Sequence, residues 1–179
     1  MELINKKIPQ KILKQVYAIH KEKLGEGYLN FNHFKKLNKK NKLIIAINNN
    51  EVLGFLTFDY SSEKEFFNCK KINLKSDNIA ILILNTCAVK IEKMGVGTAL
   101  IDYALKNLTK NIEKVYTPVW QYSNKINAHK MLTNFGFNPL ITLEKYWYAE
   151  SIGVENFCPV CNTPCTCNLI VYSKNIKAN

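Results

Sequence analysis

Apolar residues along this chain recur with two periods, and the periods mark the elements. Ile12, Leu13, Val16, Tyr17 and His20 fall three and four apart, one face of a helix. Pro9 suits a helix start and Gly25 an end, so a helix is predicted from 9 to about 25. Phe31, Phe34 and Leu37 repeat that spacing in a shorter helix with a lysine-rich outer face. Residues 2–8 read as a first strand. Residues 42–47 and 52–60 are rich in strand formers and flank Asn48-Asn49-Asn50-Glu51, which predicts a hairpin. Further strands are predicted at 66–74, 113–119, 141–149 (long and aromatic) and 168–173. Residues 124–135 read as a helix with Ala128, Met131, Leu132 and Phe135 on one side and Gly136 at its end.

The chain is organised around 79–108, IAILILNTCAVKIEKMGVGTALIDYALKNL. Residues 79–84 are an unbroken apolar run, too short to span a membrane and suited to a strand buried on both faces. Gly95-Val96-Gly97-Thr98 gives the backbone freedom to turn and lets a ligand approach the main chain. Leu100, Ile101, Ala104, Leu105 and Leu108 then fall on one helical face. A helix opening after two glycines presents free N–H groups and its positive dipole end, which favours an anion such as phosphate. A nucleotide P-loop is excluded, since no Lys-Ser/Thr follows the glycines. A dinucleotide fingerprint fits poorly, because Leu100 stands where a third glycine belongs.

The length of 179 residues suits one domain, 1–179, with a sizeable core. The first residues, MELINKK, lack an apolar signal region and no stretch is long enough to be transmembrane, so no membrane partner is expected and the cytoplasm is. The net charge of +11 comes from 25 cationic residues, every one of them lysine. Abundant Lys, Asn and Ile together point to AT-rich coding, the plainer account of that charge; attraction to anions is the functional one. The absence of arginine disfavours a specific nucleic-acid reader, because bidentate arginine contacts dominate guanine recognition.

Four of the six cysteines cluster in FCPVCNTPCTCN: Cys158, Cys161, Cys165 and Cys167, spaced C-x2-C-x3-C-x-C. Four thiolates can satisfy tetrahedral zinc, and in a reducing compartment metal is favoured over disulfide. Four thiolate ligands leave no open coordination position, so the expected zinc is structural, a knuckle at 157–168 between the last two strands. The intervening residues are neutral, which disfavours phosphate contact. Cys69 and Cys87 are isolated and read as small core residues.

NTCAVKIEKMGVGTALIDYAL and, downstream, NKINAHKMLTNFGF resemble the two cofactor-binding motifs of the GNAT (general N-acetyltransferase) superfamily. The order of elements resembles that family over nearly the whole chain. The resemblance implies an α/β (α+β) fold: a mixed, mostly antiparallel twisted sheet flanked by about four helices, here with the cysteine knuckle in its C-terminal hairpin. It also implies acetyl-CoA as co-substrate. Asn85, Thr86 and Cys87 would then offer backbone groups to the acetyl carbonyl and pantetheine arm. Lys93, Met94, Gly95, Val96, Gly97 and Thr98 would wrap the pyrophosphate. In this family the amine attacks the thioester directly, so Cys87 is not needed as a nucleophile.

Three positions depart from the family pattern. The first motif residue, Gln or Arg in the family, is Glu92, whose charge Lys90 and Lys93 would have to offset. A cofactor-contacting Asn is replaced by Lys125, with Asn124 and Asn127 nearby. The tyrosine proposed to protonate the CoA thiolate is Leu132. The acid role would pass to Tyr122, Tyr146, Tyr148 or water, and Asp59, Tyr60, Tyr116 and His129 are the general-base candidates by location alone. Trp120 and Gln121 would line an acceptor pocket or pack. The expectation is an N-acyltransferase using a small-molecule or peptide amine. A CoA-binding sensor of the same fold and acylation of a nucleic-acid-linked amine are the alternatives.

Overall fold

A computed structural model describes residues 1–25, 29–123, 125–126, 128–155, 157–161 and 163–176. The elements run β1 (Glu2–Ile4), α1 (Gln10–Leu24), α2 (Phe31–Lys39), β2 (Leu43–Asn48), β3 (Glu51–Ser62), α3 (Glu63–Lys70) and β4 (Ala80–Val89). Then follow α4 (Val96–Asn107), β5 (Lys114–Gln121), α5 (His129–Asn134), β6 (Asn138–Leu143), α6 (Tyr148–Ser151) and β7 (Asn168–Asn175). One seven-stranded sheet has the order β1-β2-β3-β4-β5-β7-β6. Only β4 and β5 pair in parallel; every other neighbouring pair is antiparallel.

The sheet is covered on both faces, which is why β2 and the first half of β4 read as continuous apolar runs. On one face Leu100, Ile101 and Ala104 of α4 and Leu132 of α5 meet Ile44, Leu56, Leu82, Leu84 and Val115. On the other, Ile12, Leu13, Val16 and Ile19 of α1 and Phe34 of α2 meet Ile45, Val52 and Phe55. The same face continues under α3 with Phe66, Phe67, Ile83, Tyr116 and Val171. The β2–β3 hairpin turns on Asn49 and Asn50 at φ 47° and 66°, the left-handed pair that a two-residue turn needs. No helix among the described residues is long and apolar enough to cross a membrane.

The structure corrects several predicted elements. Residues 66–74 were expected as a strand, but 63–70 form α3. Ser62 caps it by accepting from the Glu65 N–H at 3.2 Å, Glu63 and Glu65 occupy the first turn, and both Phe66 and Phe67 are buried. The Ser-x-x-Glu signature outweighs the aromatic strand propensity. The strand expected over 141–149 is β6 at 138–143; beyond it Lys145 adopts φ 46° and its N–H bonds the Asn168 side chain at 3.0 Å, which reverses the chain. Tyr146 and Trp147 therefore lie on a turn and Tyr148 opens α6, not a strand. The helix expected over 124–135 spans only 129–134, and Asn124 and Asn127 lie outside the described residues. The first strand ends at Ile4 instead of residue 8.

Candidate active site

The site begins where β4 loses its register. Thr57 pairs with Thr86 but the next residue, Phe58, pairs with Leu84, so Asn85 is a bulge with no partner on β3. The neighbour on the other side departs at the same level. β4 pairs with β5 only through Ile81, Ile83 and the residue between, against 114–116. The Thr117 hydroxyl donates to the Leu84 carbonyl at 3.0 Å, and beyond it no pairing joins the strands. From there 86–89 of β4 stay with β3 and 117–121 of β5 stay with β7. Pro118, which has no N–H, stands at the start of the divergence. A V-shaped opening results, with main-chain groups along both inner edges that pair with no strand among the described residues.

The glycine turn lies at the mouth of this opening. The Lys90 N–H still reaches the Leu53 carbonyl at 2.8 Å. After it, no acceptor among the described residues takes the main-chain N–H groups of 91–98, and residues 91–95 are exposed. Lys93 at φ 63° and Gly95 at φ 74° curl the chain so that α4 opens directly behind it. A Cβ on Gly95 would meet nothing within 4 Å, so glycine serves the left-handed backbone there and the space beside it is open. Gly54 has the opposite role. A Cβ on it would lie 2.9 Å from Val96 Cγ1 and 3.0 Å from the Ala88 carbonyl, so only glycine lets β3 pass beneath the first turn of α4. A bulged strand, a splayed parallel pair and an exposed run of amides on a twelve-residue helix converge on one place. Such an arrangement suits a long ligand with a diphosphate at the loop and a carbonyl near the bulge.

Solved structures share this architecture. Arabidopsis thaliana NAA60 in complex with a bisubstrate analogue superposes with a TM-score of 0.73 at 14% identity, over 99% of this chain and 100% of that one. The chain has the GNAT fold. Ard1 from Thermoplasma volcanium gives 0.67 at 18% identity, over 99% and 100% of the two chains. The ribosomal-protein-alanine N-acetyltransferase from Brucella melitensis gives 0.64 at 12%, over 98% and 100%. No protein-family model matches the sequence, and no curated protein matches it.

Within the GNAT fold the loop residues Lys93, Met94, Gly95, Val96, Gly97 and Thr98 are contiguous with the bulge at Asn85, Thr86 and Cys87 through 88–92. Met94 is 70% exposed, whereas Val96 is buried and anchors the turn. Cys87 sits half-buried against the α4-side core, and burial pushes its thiol up to about 12, so it is a neutral thiol. Lys90 is paired with Glu51, leaving Glu92 and Lys93 exposed on the loop. Leu132 is buried with Leu84, Ile170 and Tyr172 in the α4-side core.

The acid and base candidates scatter. Tyr116 points to the opposite face, buried, with its hydroxyl donating to Glu63; burial and that carboxylate push its phenol well up, so it keeps its proton at neutral pH. Asp59 is paired with Lys42 and accepts from the Tyr60 N–H at 2.7 Å. The Tyr60 hydroxyl donates to the Leu108 carbonyl at 3.2 Å. Tyr122 packs its ring 4.8 Å from that of Trp120. Tyr146 packs edge-on against Trp147, and Tyr148 is 45% exposed. Gln121 accepts from the Asn168 amide at 3.2 Å. His129 Nδ1 lies 2.7 Å from the hydroxyl of buried Tyr172, a pair that sequence reading missed, as the partners are distant in the chain.

Two other groups escaped the sequence reading. Glu63 is 2% exposed, yet it accepts from Lys114 Nζ at 2.8 Å, from the Tyr116 hydroxyl and from the Asp77 N–H at 2.7 Å. Burial raises its carboxyl, but these three donors outweigh it and hold the group below its ordinary range. The capping signature at 62–65 would have placed Glu63 on a helix, though not its partners. Ser151, fully buried, accepts from the Cys165 N–H at 2.7 Å and ties α6 to the cysteine segment.

The four predicted cysteines do come together. Their sulfurs all lie within 4.8 Å of one another, with contacts of 3.4 to 3.8 Å. Tetrahedral zinc with Zn–S bonds of about 2.3 Å needs sulfurs about 3.8 Å apart, so the donor set fits the ion. Cys158, Cys165 and Cys167 are buried and Cys161 half-buried. Burial raises the Cys161 thiol, but the Thr166 N–H at 3.4 Å and the neighbouring cysteines bring it down to about 7; burial, offset in part by the Cys167 N–H, pushes Cys165 up to about 12.

Proposed function

We propose that this protein is an acyl-CoA-dependent N-acyltransferase that moves acetyl from acetyl-CoA to a primary amine, carried by a small molecule or a peptide. The observation that carries the reading is the run of amides at 91–98, without an acceptor among the described residues, at the mouth of the β4–β5 opening. Convergent amides at a helix N-terminus are what a diphosphate requires. The bulge at Asn85, with the departure of β5, leaves main-chain groups on the β5-side edge of 85–87 to position and polarise the thioester carbonyl. The acceptor nitrogen attacks that carbonyl carbon, the C–S bond breaks, and the proton lost by nitrogen ends on the departing thiolate. Neighbours of the same fold support the donor: NAA60 has been solved in complex with acetyl-CoA, at a TM-score of 0.69 and 14% identity. The reading includes one structural zinc ion at the four cysteines, within a single domain of 1–179.

Titration of the purified protein with acetyl-CoA by calorimetry tests this, with saturable one-site binding expected. No saturable heat at millimolar ligand rejects the reading. A second reading, a CoA-binding sensor without transfer, is favoured by Leu132, whose core burial supplies no proton to a thiolate. The sensor binds acetyl-CoA but releases no free thiol across a panel of amines and peptides; thiol release above the hydrolytic background decides for the enzyme.

A further inference from the structure

The sheet separates two chemistries. The glycine turn and α4 lie on one face, while the cysteine cluster meets the other, where Trp120, Tyr122 and Trp147 pack against it. Trp120 sits on β5 beyond the point where β4 departs, so among the described residues that end of the strand pairs only with β7. The side chain alternates with Val119, which faces α4, and so points to the cysteine side. There it packs against Cys158, Cys165 and Cys167. The connection from β6 to β7, residues 144–167, is far longer than a hairpin loop and among its described residues contains only the short α6. Among its described residues the buried apolar cluster is Phe157 with three of the cysteines. That is little apolar surface to order so long a connection. All six cysteines are free, so no disulfide stands in.

We propose that a single zinc ion on Cys158, Cys161, Cys165 and Cys167 is the device that fixes the free end of β5, acting through Trp120 and Trp147, and so builds the wall of the opening on the face away from α4. Each ligating thiol gives its proton to solvent, and the Thr166 N–H on the Cys161 sulfur offsets part of the thiolate charge. The metal is a positioning element for the acceptor side and is independent of the cofactor loop, which hangs from β4 and Gly54. This rests on the acyltransferase reading only for the word acceptor; the metal and its mechanical role stand apart from it.

The chain has two tryptophans and both touch the cluster, so intrinsic fluorescence reports on it directly. Protein purified without chelator is expected to contain one zinc per chain by elemental analysis, and cobalt exchanged into the site to show a thiolate-to-metal charge-transfer band. Stripping the metal shifts tryptophan emission to the red and added zinc reverses the shift, while the dissociation constant for acetyl-CoA changes less than twofold. Cys161→Ser lowers the metal content at least fivefold and Cys69→Ser leaves it unchanged. If Cys161→Ser fails to fold, reversible stripping of the native chain still decides. Absence of bound zinc and of any cobalt band overturns the proposal, as does metal removal that leaves tryptophan emission unmoved. Metal with the expected fluorescence response but no acetyl-CoA binding sinks the acyltransferase reading and leaves this one standing.

Discussion

Gly95 and His20 show how single residues carry consequences that composition does not. Gly95 holds φ 74° in open space, so a side chain there meets a backbone penalty and no clash. Gly95→Val is expected to cost about 1–2 kcal/mol of stability. It also places a branched side chain in the open mouth of the loop, so acetyl-CoA affinity should fall at least tenfold by calorimetry. His20 is fully buried among Tyr17, Phe34 and Phe55, and neither ring nitrogen has a partner among the described residues. Burial, with a smaller contribution from His33, lowers it from 6.5 to about 4. The folded state therefore binds fewer protons than the unfolded state, and stability is full above pH 6.5 and declines as pH falls toward 4. Between pH 7.5 and 5 the native protein should lose about 2 kcal/mol more than His20→Leu, read from urea unfolding at the two pH values.

At the scale of elements, α3 and β5 are joined by the Glu63 carboxylate. Removing it leaves the buried Tyr116 hydroxyl and the half-buried Lys114 ammonium without their acceptor. Glu63→Leu is expected to cost about 3 kcal/mol in chemical denaturation. Because its folded value is lowered, this contribution is present above the ordinary carboxylate value of 4.5 and is lost as pH falls through the lower folded value. That window lies below most of the His20 window, so the two variants separate along the pH axis. Ser62→Ala removes only the cap of α3 and should cost about 1 kcal/mol. These elements show where pattern reading failed. Phe66 and Phe67 suited a strand by composition, but a capping serine and two first-turn acids decided for a helix. Tyr146, Trp147 and Tyr148 suited a strand too, but the Lys145 turn aims Tyr146 and Trp147 at the underside of the sheet, Trp147 also at the cysteine cluster, and leaves Tyr148 exposed at the start of α6.

For the whole molecule, the net charge of +11 without a single arginine is a diffuse lysine field. Such a field draws an anionic ligand toward the loop without specifying it, and salt screens it. The dissociation constant for acetyl-CoA is expected to rise severalfold between 0.05 and 0.5 M salt, measured at constant pH. A salt-independent constant would assign the binding to the loop amides alone.

The central strand, the glycine turn, α4 and the four cysteines were legible in the sequence because each depends on local rules. Apolar periodicity, left-handed glycine and ligand spacing act within a few residues. Periodicity likewise delivered α1, α2 and the β2–β3 hairpin. What only the folded chain decided depends on distant partners. The bulge at Asn85 exists because β3 and β4 are out of register by one residue, and the opening beside it because β5 follows β7 and leaves β4. The buried seat of Glu63, the His129–Tyr172 contact and the packing of Trp120 against the cysteine cluster each join residues that no local pattern links. Local sequence sets which element a segment forms; long-range strand pairing sets which side chains and amides face the same space, and chemistry needs the second.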